Sequence, residues 1–212
     1  MQEQNSLIYQ ALIEANGDKL NFVFNSIYRA NLWGCGSGPG SNEELCADYV
    51  NFLQNFFKEK KISKVVDCGC GDWQFSKNID FSGIEYKGFD VASFVIEQNI
   101  NRFQKENINF FLYDGNFNSL PSADLLICKD VLQHLNNIKI NEFIANLSRF
   151  KFALITNDIA ENVNSDCLNG RYRALDLRKA PFNLPLKVVF EITRMPKAPN
   201  MLTMLWENPK FK

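Results

Sequence analysis

Lys64-Val65-Val66-Asp67-Cys68-Gly69-Cys70-Gly71-Asp72-Trp73 is the stretch that decides the fold. Two valines in a row suit a strand buried on both faces of a parallel sheet. Gly69 and Gly71, one residue apart, let the backbone turn tightly and approach a ligand without side-chain interference. The next apolar run, Tyr86-Lys87-Gly88-Phe89-Asp90, puts a carboxylate at the end of a second strand, where a doubly wound sheet holds ribose hydroxyls. Outward from this pair, strand and helix patterns alternate. Strands are predicted over 63–67, 85–90, 108–113, 123–129 and 152–156, and helices over 4–14, 21–29, 42–60, from Trp73 onward, 92–106 and 139–149. Ser41 is the predicted N-cap of the 42–60 helix, with Glu44 in the capping-box position. Residues 187–193 and 201–206 alternate apolar with polar, and 196–200 between them, opening on Pro196, cannot continue a helix. A closing antiparallel pair follows. The expected fold is α/β and doubly wound, a mostly parallel seven-stranded sheet with an antiparallel C-terminal strand.

The predicted strand ends deliver Asp67, Asp90, Asp114, Lys129 with Asp130, and Asn157 with Asp158 to one edge. In open parallel sheets this carboxyl edge is where ligands bind. A dinucleotide fingerprint requires a third glycine beneath the pyrophosphate, and Gln74 stands there instead. That counts against a nicotinamide-dependent oxidoreductase. Asp67, two positions before Gly69, sits awkwardly beside phosphate but suits a ligand with an amino group and a sulfonium, as in S-adenosylmethionine (SAM).

With these residues in place, the sequence resembles the class I SAM-dependent methyltransferases. Asp67-x-Gly69-x-Gly71 is similar to their first motif, Asp90 to their ribose-binding acid, and Asp114-Gly115 to their adenine-side loop. Residues 123–135 are similar to their fourth strand and the turn after it. Residues 31–41, 171–177 and 180–185 narrow the resemblance to a small bacterial subgroup associated with sugar or surface-polysaccharide modification. Trp73 departs from the pattern, standing where many relatives have a small residue. The resemblance implies one methyltransferase domain over 1–212: N-terminal helices and a lid loop to residue 60, a SAM-binding core over 61–160, then an acceptor loop and closing strands.

It also implies a site. Asp90 and Val91 would hold the ribose. Gly69, Cys70 and Gly71 would form the backbone cradle, and Lys129 would stand at its edge. Asp67 is read either as a partner of the cofactor amino group or as an acceptor for amides of its own turn, and Asp114 either as an adenine partner or as a turn former. Gly38 and Gly40, in a loop that closes over the methionine end or merely connects two helices, and Trp33, beside the cofactor or in the core, complete that side. His134, the only histidine, follows the fourth strand and is read as general base, as a binding group or as a turn cap. Gln133, Asp158, Arg171, Tyr172 and Arg173 face the acceptor. Two arginines around a tyrosine suggest an anionic, phosphorylated or sugar-linked acceptor, unless they are ordinary surface residues.

Composition sets limits. At 212 residues with 46% apolar content, one core of fair size is possible. A net charge of −1 without basic runs lacks the footprint of a nucleic-acid binder. No apolar run reaches the roughly 20 residues needed to span a bilayer, and the polar N-terminus is not a signal peptide, so a cytoplasmic protein is expected. The six cysteines contain no C-x-x-C pair, so reduced thiols are expected and no metal is assigned. O-methylation of a small acceptor is the favoured reading, with N-methylation of a small amine and a noncatalytic SAM-binding module as alternatives. Oligomeric state is not legible.

Overall fold

Val65 and Val66 point into two different cores, which is why both positions are apolar. In the computed structural model, which describes residues 2–160, 164–193 and 200–211, β1 (Lys64–Cys68) is the central strand. Val65 packs in a cluster with Leu53, Phe56, Phe57, Leu125 and Ile127, and Val66 in another with Leu126, Cys128, Ile140, Phe143 and Ile155. Parallel neighbours flank β1: β2 (Glu85–Asp90), then β3 (Ile108–Leu112), on one side, and β4 (Ala123–Lys129), then β5 (Phe150–Ile159), on the other. β6 (Lys187–Ile192) and β7 (Asn200–Glu207) complete the sheet in the order β3-β2-β1-β4-β5-β7-β6. β7 runs antiparallel to both β5 and β6, so it alone is reversed. The expected seven-stranded, mostly parallel sheet with a reversed C-terminal strand is the one observed. Strand order reverses between β1 and β4, which opens the ligand crevice of this fold class above their carboxyl ends.

The helices are α1 (Gln2–Asn16), α2 (Leu20–Arg29), α3 (Ala47–Glu59), α4 (Ser93–Phe103) and α5 (Asn137–Asn146). α3 covers the Val65 face with Tyr49, Leu53, Phe56 and Phe57, while Ile140 and Phe143 of α5 cover the other. β5 is ten residues long rather than the predicted five, because β7 pairs with it from Phe152 to Ile159. That extension brings Asn157 and Asp158 into the sheet. Residues 196–199 of the predicted connector lie outside the described residues.

Two helix expectations fail. α3 begins at Ala47, five residues late, and neither Ser41 nor Glu44 caps it. Ser41 instead closes a 3-10 turn, Pro39–Ser41, and Asn42 starts a separate turn by accepting the Leu45 amide at 3.1 Å. The helix after Trp73 is absent; only a 3-10 turn, Ser76–Asn78, occupies the crossover. Trp73 has φ of +59°, outside the helical region, and its ring is buried against Phe81, Tyr86, Phe103 and Phe110. Aromatic packing covers the sheet there in place of a helix.

Candidate functional site

The glycine turn after β1 is clamped from below. Gly69 and Gly71 have φ of +80° and +55°, and neither has room for a side chain. A Cβ on Gly69 would stand 2.2 Å from Val131 Cγ2, and one on Gly71 2.3 Å from Ser37 Oγ. The amides of Gly69 and Cys70 donate to the Phe89 carbonyl at 2.7 and 3.1 Å. Asp90 then holds the turn to the end of β2: Oδ2 accepts the Gly71 amide at 3.0 Å and Oδ1 the Ala92 amide at 2.9 Å. Asn99 of α4 donates to the Gly71 carbonyl at 2.7 Å. Burial pushes the Asp90 carboxyl up to about 6, with the amides of Ala92 and Gly71 working against that shift.

Asp67, deeper on β1, is also buried. Its Oδ2 accepts the Tyr86 hydroxyl at 2.7 Å, and that hydroxyl in turn accepts the Trp73 indole N–H at 2.8 Å. Burial raises the Asp67 carboxyl to about 7, although the Tyr86 bond opposes it. Its hydrogen-bond partner is therefore a side chain on the neighbouring strand, not the amides of its own turn.

Residues 31–41 lie across this turn as a strap. Ser37 Oγ donates to Asp72 Oδ1 at 2.6 Å and accepts the Asp72 amide at 2.9 Å, while the Ser37 amide donates to Asp72 Oδ2 at 3.2 Å. Gln74, which fills the place of a third glycine, donates to the Cys35 carbonyl at 2.9 Å and to Asp72 Oδ2 at 2.8 Å. Farther along, Lys129 Nζ donates to the Gly40 carbonyl at 2.7 Å. The strap is therefore bonded to both β-strand ends beside the switch point. Ser37, Asp72 and Gln74 were not predicted as anchors. Their one signal is a hydroxyl inside a glycine-rich loop, and its partner lies 35 residues away.

Strap and strand ends enclose a cavity of about 620 Å³. Of the predicted residues, Trp33, Gly38, Gly40, Asp67, Gly69, Cys70, Gly71, Asp90, Val91, Gly115, Lys129, Gln133, His134, Asp158 and Tyr172 line it. Tyr9, Tyr28 and Asp130 line it as well, and the first two come from helices that carried no site prediction. Three predicted residues do not line it. Asp114 forms a turn, its Oδ1 accepting the Asn116 amide at 2.9 Å. Arg171 is an exposed partner of Glu14 at 2.8 Å. Arg173 is buried and ties loops together, donating to the carbonyls of Ser165 and Leu135. The anion grip expected of these two arginines is not built, because each guanidinium is engaged away from the cavity.

His134 occupies the opposite wall, with Trp33 at 5.4 Å and Tyr172 at 6.0 Å between ring centroids. Its Nδ1 is 3.3 Å from the Arg171 carbonyl. A carbonyl only accepts, so this contact places the proton on Nδ1 and leaves a lone pair on Nε2. Burial lowers the imidazole pKa below its ordinary value, which keeps the ring neutral near pH 7. Beneath it, the Tyr172 hydroxyl donates to Asp158 Oδ2 at 2.8 Å, and the Asp158 amide donates to Gln133 Oε1 at 2.8 Å. All six cysteines are free. Among the described residues, no group of three or more His, Cys, Asp or Glu is placed to hold a metal, and no helix is long and apolar enough to cross a membrane.

No protein-family model and no curated protein sequence matches the chain. Solved structures do. The methyltransferase domain of bacterial CtHen1-C is 16% identical, with a TM-score of 0.55 over 76% of this chain and 97% of that one. The N-methyltransferase NodS from Bradyrhizobium japonicum WM9 is 14% identical, with a TM-score of 0.58 over 78% and 97%. Magnesium protoporphyrin IX methyltransferase (ChlM) from Synechocystis PCC 6803, solved with bound SAM, is 15% identical, with a TM-score of 0.53 over 74% and 78%. At such identities the likeness establishes the shared Rossmann-like fold.

Proposed function

We propose that the chain is a SAM-dependent methyltransferase acting on a small acceptor. The observation that carries this reading is the clamped turn: two glycines with no room for a Cβ, held by Asp90 under a cavity at the switch point of a methyltransferase-type sheet. The cavity's volume lies within the usual 300–1,000 Å³ of small-molecule sites, and the glycine turn leads into a 3-10 turn rather than the helix whose N-terminus receives a pyrophosphate in dinucleotide sites. Asp90 would hold the ribose. Each of its oxygens accepts one amide and retains a second lone pair for a hydroxyl. Tyr113, Gly115 and Phe117 would flank the adenine, and Asp67 would face the cationic methionine end.

SAM, when bound, supplies a sulfonium-activated methyl group. The chain's own part is to align the acceptor, exclude water and take a proton. Alignment can contribute up to about 7–11 kcal/mol in well-oriented systems. The strap covers the turn, and Trp33 and Tyr172 wall the acceptor side. His134 is neutral, held through Nδ1, and takes the acceptor's hydroxyl proton on Nε2. The acceptor we infer is the oxygen of a carbohydrate-linked compound, for which aromatic walls and carboxylate hydrogen-bond acceptors are suited. Because Arg171 and Arg173 are engaged elsewhere, they lend no support to a phosphorylated acceptor. A small amine is the second reading, favoured by the carboxylates of Asp130 and Asp158 in the lining.

Thermal unfolding with SAM, S-adenosylhomocysteine and NADH, each in large excess, tests the cofactor. At about 100 times its Kd a ligand adds about 2.7 kcal/mol, so both adenosyl compounds should raise Tm by several degrees and NADH should not. A shift with NADH alone, or with none of the three, would count against the proposal.

A further inference from the structure

Gln133 lines the cavity with only half of its side-chain hydrogen bonding in use. It is 4% exposed and stands in the 3-10 turn Leu132–His134 that follows β4. The turn is fixed through its backbone: the Arg173 amide donates to the Gln133 carbonyl at 3.1 Å, and the Gly170 amide to the His134 carbonyl at 2.6 Å. The Gln133 side chain is oriented from β5, where the Asp158 amide donates to Oε1 at 2.8 Å. A backbone N–H only donates, so the bound atom is the amide oxygen and the nitrogen is the one left over. Nε2 makes no hydrogen bond among the described residues, and it is not one of the partnerless side-chain atoms sealed from solvent, as both amide atoms of Asn157 are. Two N–H donors on a side chain more than nine-tenths buried are therefore left to the cavity. Buried polar groups are normally paired, and a ligand oxygen is the partner this position can still receive.

The next residue supplies the complement. His134 gives its Nδ1 proton to the Arg171 carbonyl and keeps a lone pair on Nε2. Consecutive residues of one turn thus offer the same cavity an acceptor and a donor. A hydroxyl answers the first, and an oxygen with a free lone pair answers the second. Gln133 has no charge with which to offset an anion, and Asp158, whose amide holds it, brings a carboxylate to the same lining, so the matching oxygen is neutral: a second hydroxyl, an ether or a carbonyl. A protonated amine has no lone pair and would leave the Gln133 donors unpaired.

We propose that Gln133 is a specificity-determining residue of the acceptor site, donating through Nε2 to a neutral oxygen of a substrate whose reacting hydroxyl meets His134. The substrate class is a hydroxyl compound with a second, accepting oxygen, rather than a simple alcohol or amine. This rests on the methyl-transfer reading for the reacting hydroxyl, but Gln133 is testable without it. Three probes of similar size, α-hydroxyacetophenone, 2-phenylethanol and acetophenone, are titrated by ligand-observed NMR against the protein alone and against protein with S-adenosylhomocysteine. The hydroxyketone should bind at least about threefold tighter than either single-function probe, the effect of one neutral hydrogen bond. In Gln133→Glu, which keeps an oxygen for the Asp158 amide and replaces the donor with an acceptor, that advantage should vanish while 2-phenylethanol binding is unchanged. A loss of packing alone would weaken all three probes together. If the variant fails to fold, Gln133→Met, of similar length and without a donor, takes its place. A hydroxyketone no tighter than 2-phenylethanol, an unchanged advantage in the variant, a uniform loss, or no binding by any probe would overturn the proposal. Failure of S-adenosylhomocysteine to bind would instead sink the methyl-transfer reading, leaving the probe ranking on the protein alone to judge Gln133.

Discussion

The two halves of the cavity are built differently. On the cofactor side, at the ends of β1 and β2, the walls are backbone: a glycine turn, the Phe89 carbonyl and amides gathered by Asp90. On the acceptor side they are side chains from distant parts of the chain, among them Tyr9, Trp33, His134 and Tyr172. A backbone wall tolerates few substitutions, because both φ and the missing Cβ are required of it. A side-chain wall changes with its loops, which is how one fold serves many acceptors.

The largest expected effect lies on the backbone side. Asp90→Ala removes the acceptor for two amides and the proposed ribose partner, and hydrogen bonds to a charged group are worth about 1.5–3 kcal/mol each. S-adenosylhomocysteine affinity should fall at least about a hundredfold in titration calorimetry. Affinity within threefold of wild type would erase the distinction between the two walls.

Asp67 sharpens the comparison through pH. Burial raises its carboxyl from 3.8 to about 7, so the folded state holds a proton that the unfolded state has released. Its contribution to stability is complete below about pH 4 and is lost progressively as pH rises to and through 7, an effect on the order of 4 kcal/mol. Denaturant unfolding across this range should show Asp67→Asn gaining on wild type as pH rises. Parallel curves for the two proteins would remove the raised pKa.

His134→Ala should leave S-adenosylhomocysteine affinity intact and cut kcat at least about a hundredfold on any hydroxyl acceptor. A near-normal rate would restrict the ring to packing between Trp33 and Tyr172. The smallest contrast is within the arginine pair. Arg173→Ala, which breaks buried hydrogen bonds, should cost about 2 kcal/mol in chemical denaturation. Arg171→Ala, which breaks an exposed pair, should cost under about 0.5 kcal/mol. A rise in acceptor KM on Arg171→Ala, with stability unchanged, would restore the anion grip.

The same division explains what was legible in the sequence. β2 and β4 fall on their predicted residues because apolar patterning and terminal polar groups are local signals. The glycine turn was equally plain. Trp73 misled because a tryptophan after a glycine turn is compatible with a helix until its ring finds the Phe81, Tyr86 and Phe110 pocket, which is a tertiary event. Ser41 misled because it closes the 3-10 turn Pro39–Ser41 instead of starting α3, and the neighbouring Gly40 carbonyl is held by Lys129, 89 residues away. The arginines misled for the same reason, since Glu14 lies 157 residues from Arg171.

The measurement that bears most directly on the central claim is calorimetric titration of S-adenosylhomocysteine into wild type and Gly71→Ala. One site per chain in wild type, with affinity lower by at least about tenfold in the variant whose Cβ would stand 2.3 Å from Ser37 Oγ, is the predicted result. No heat with wild type, or equal affinity in both proteins, would contradict a SAM site on the clamped turn.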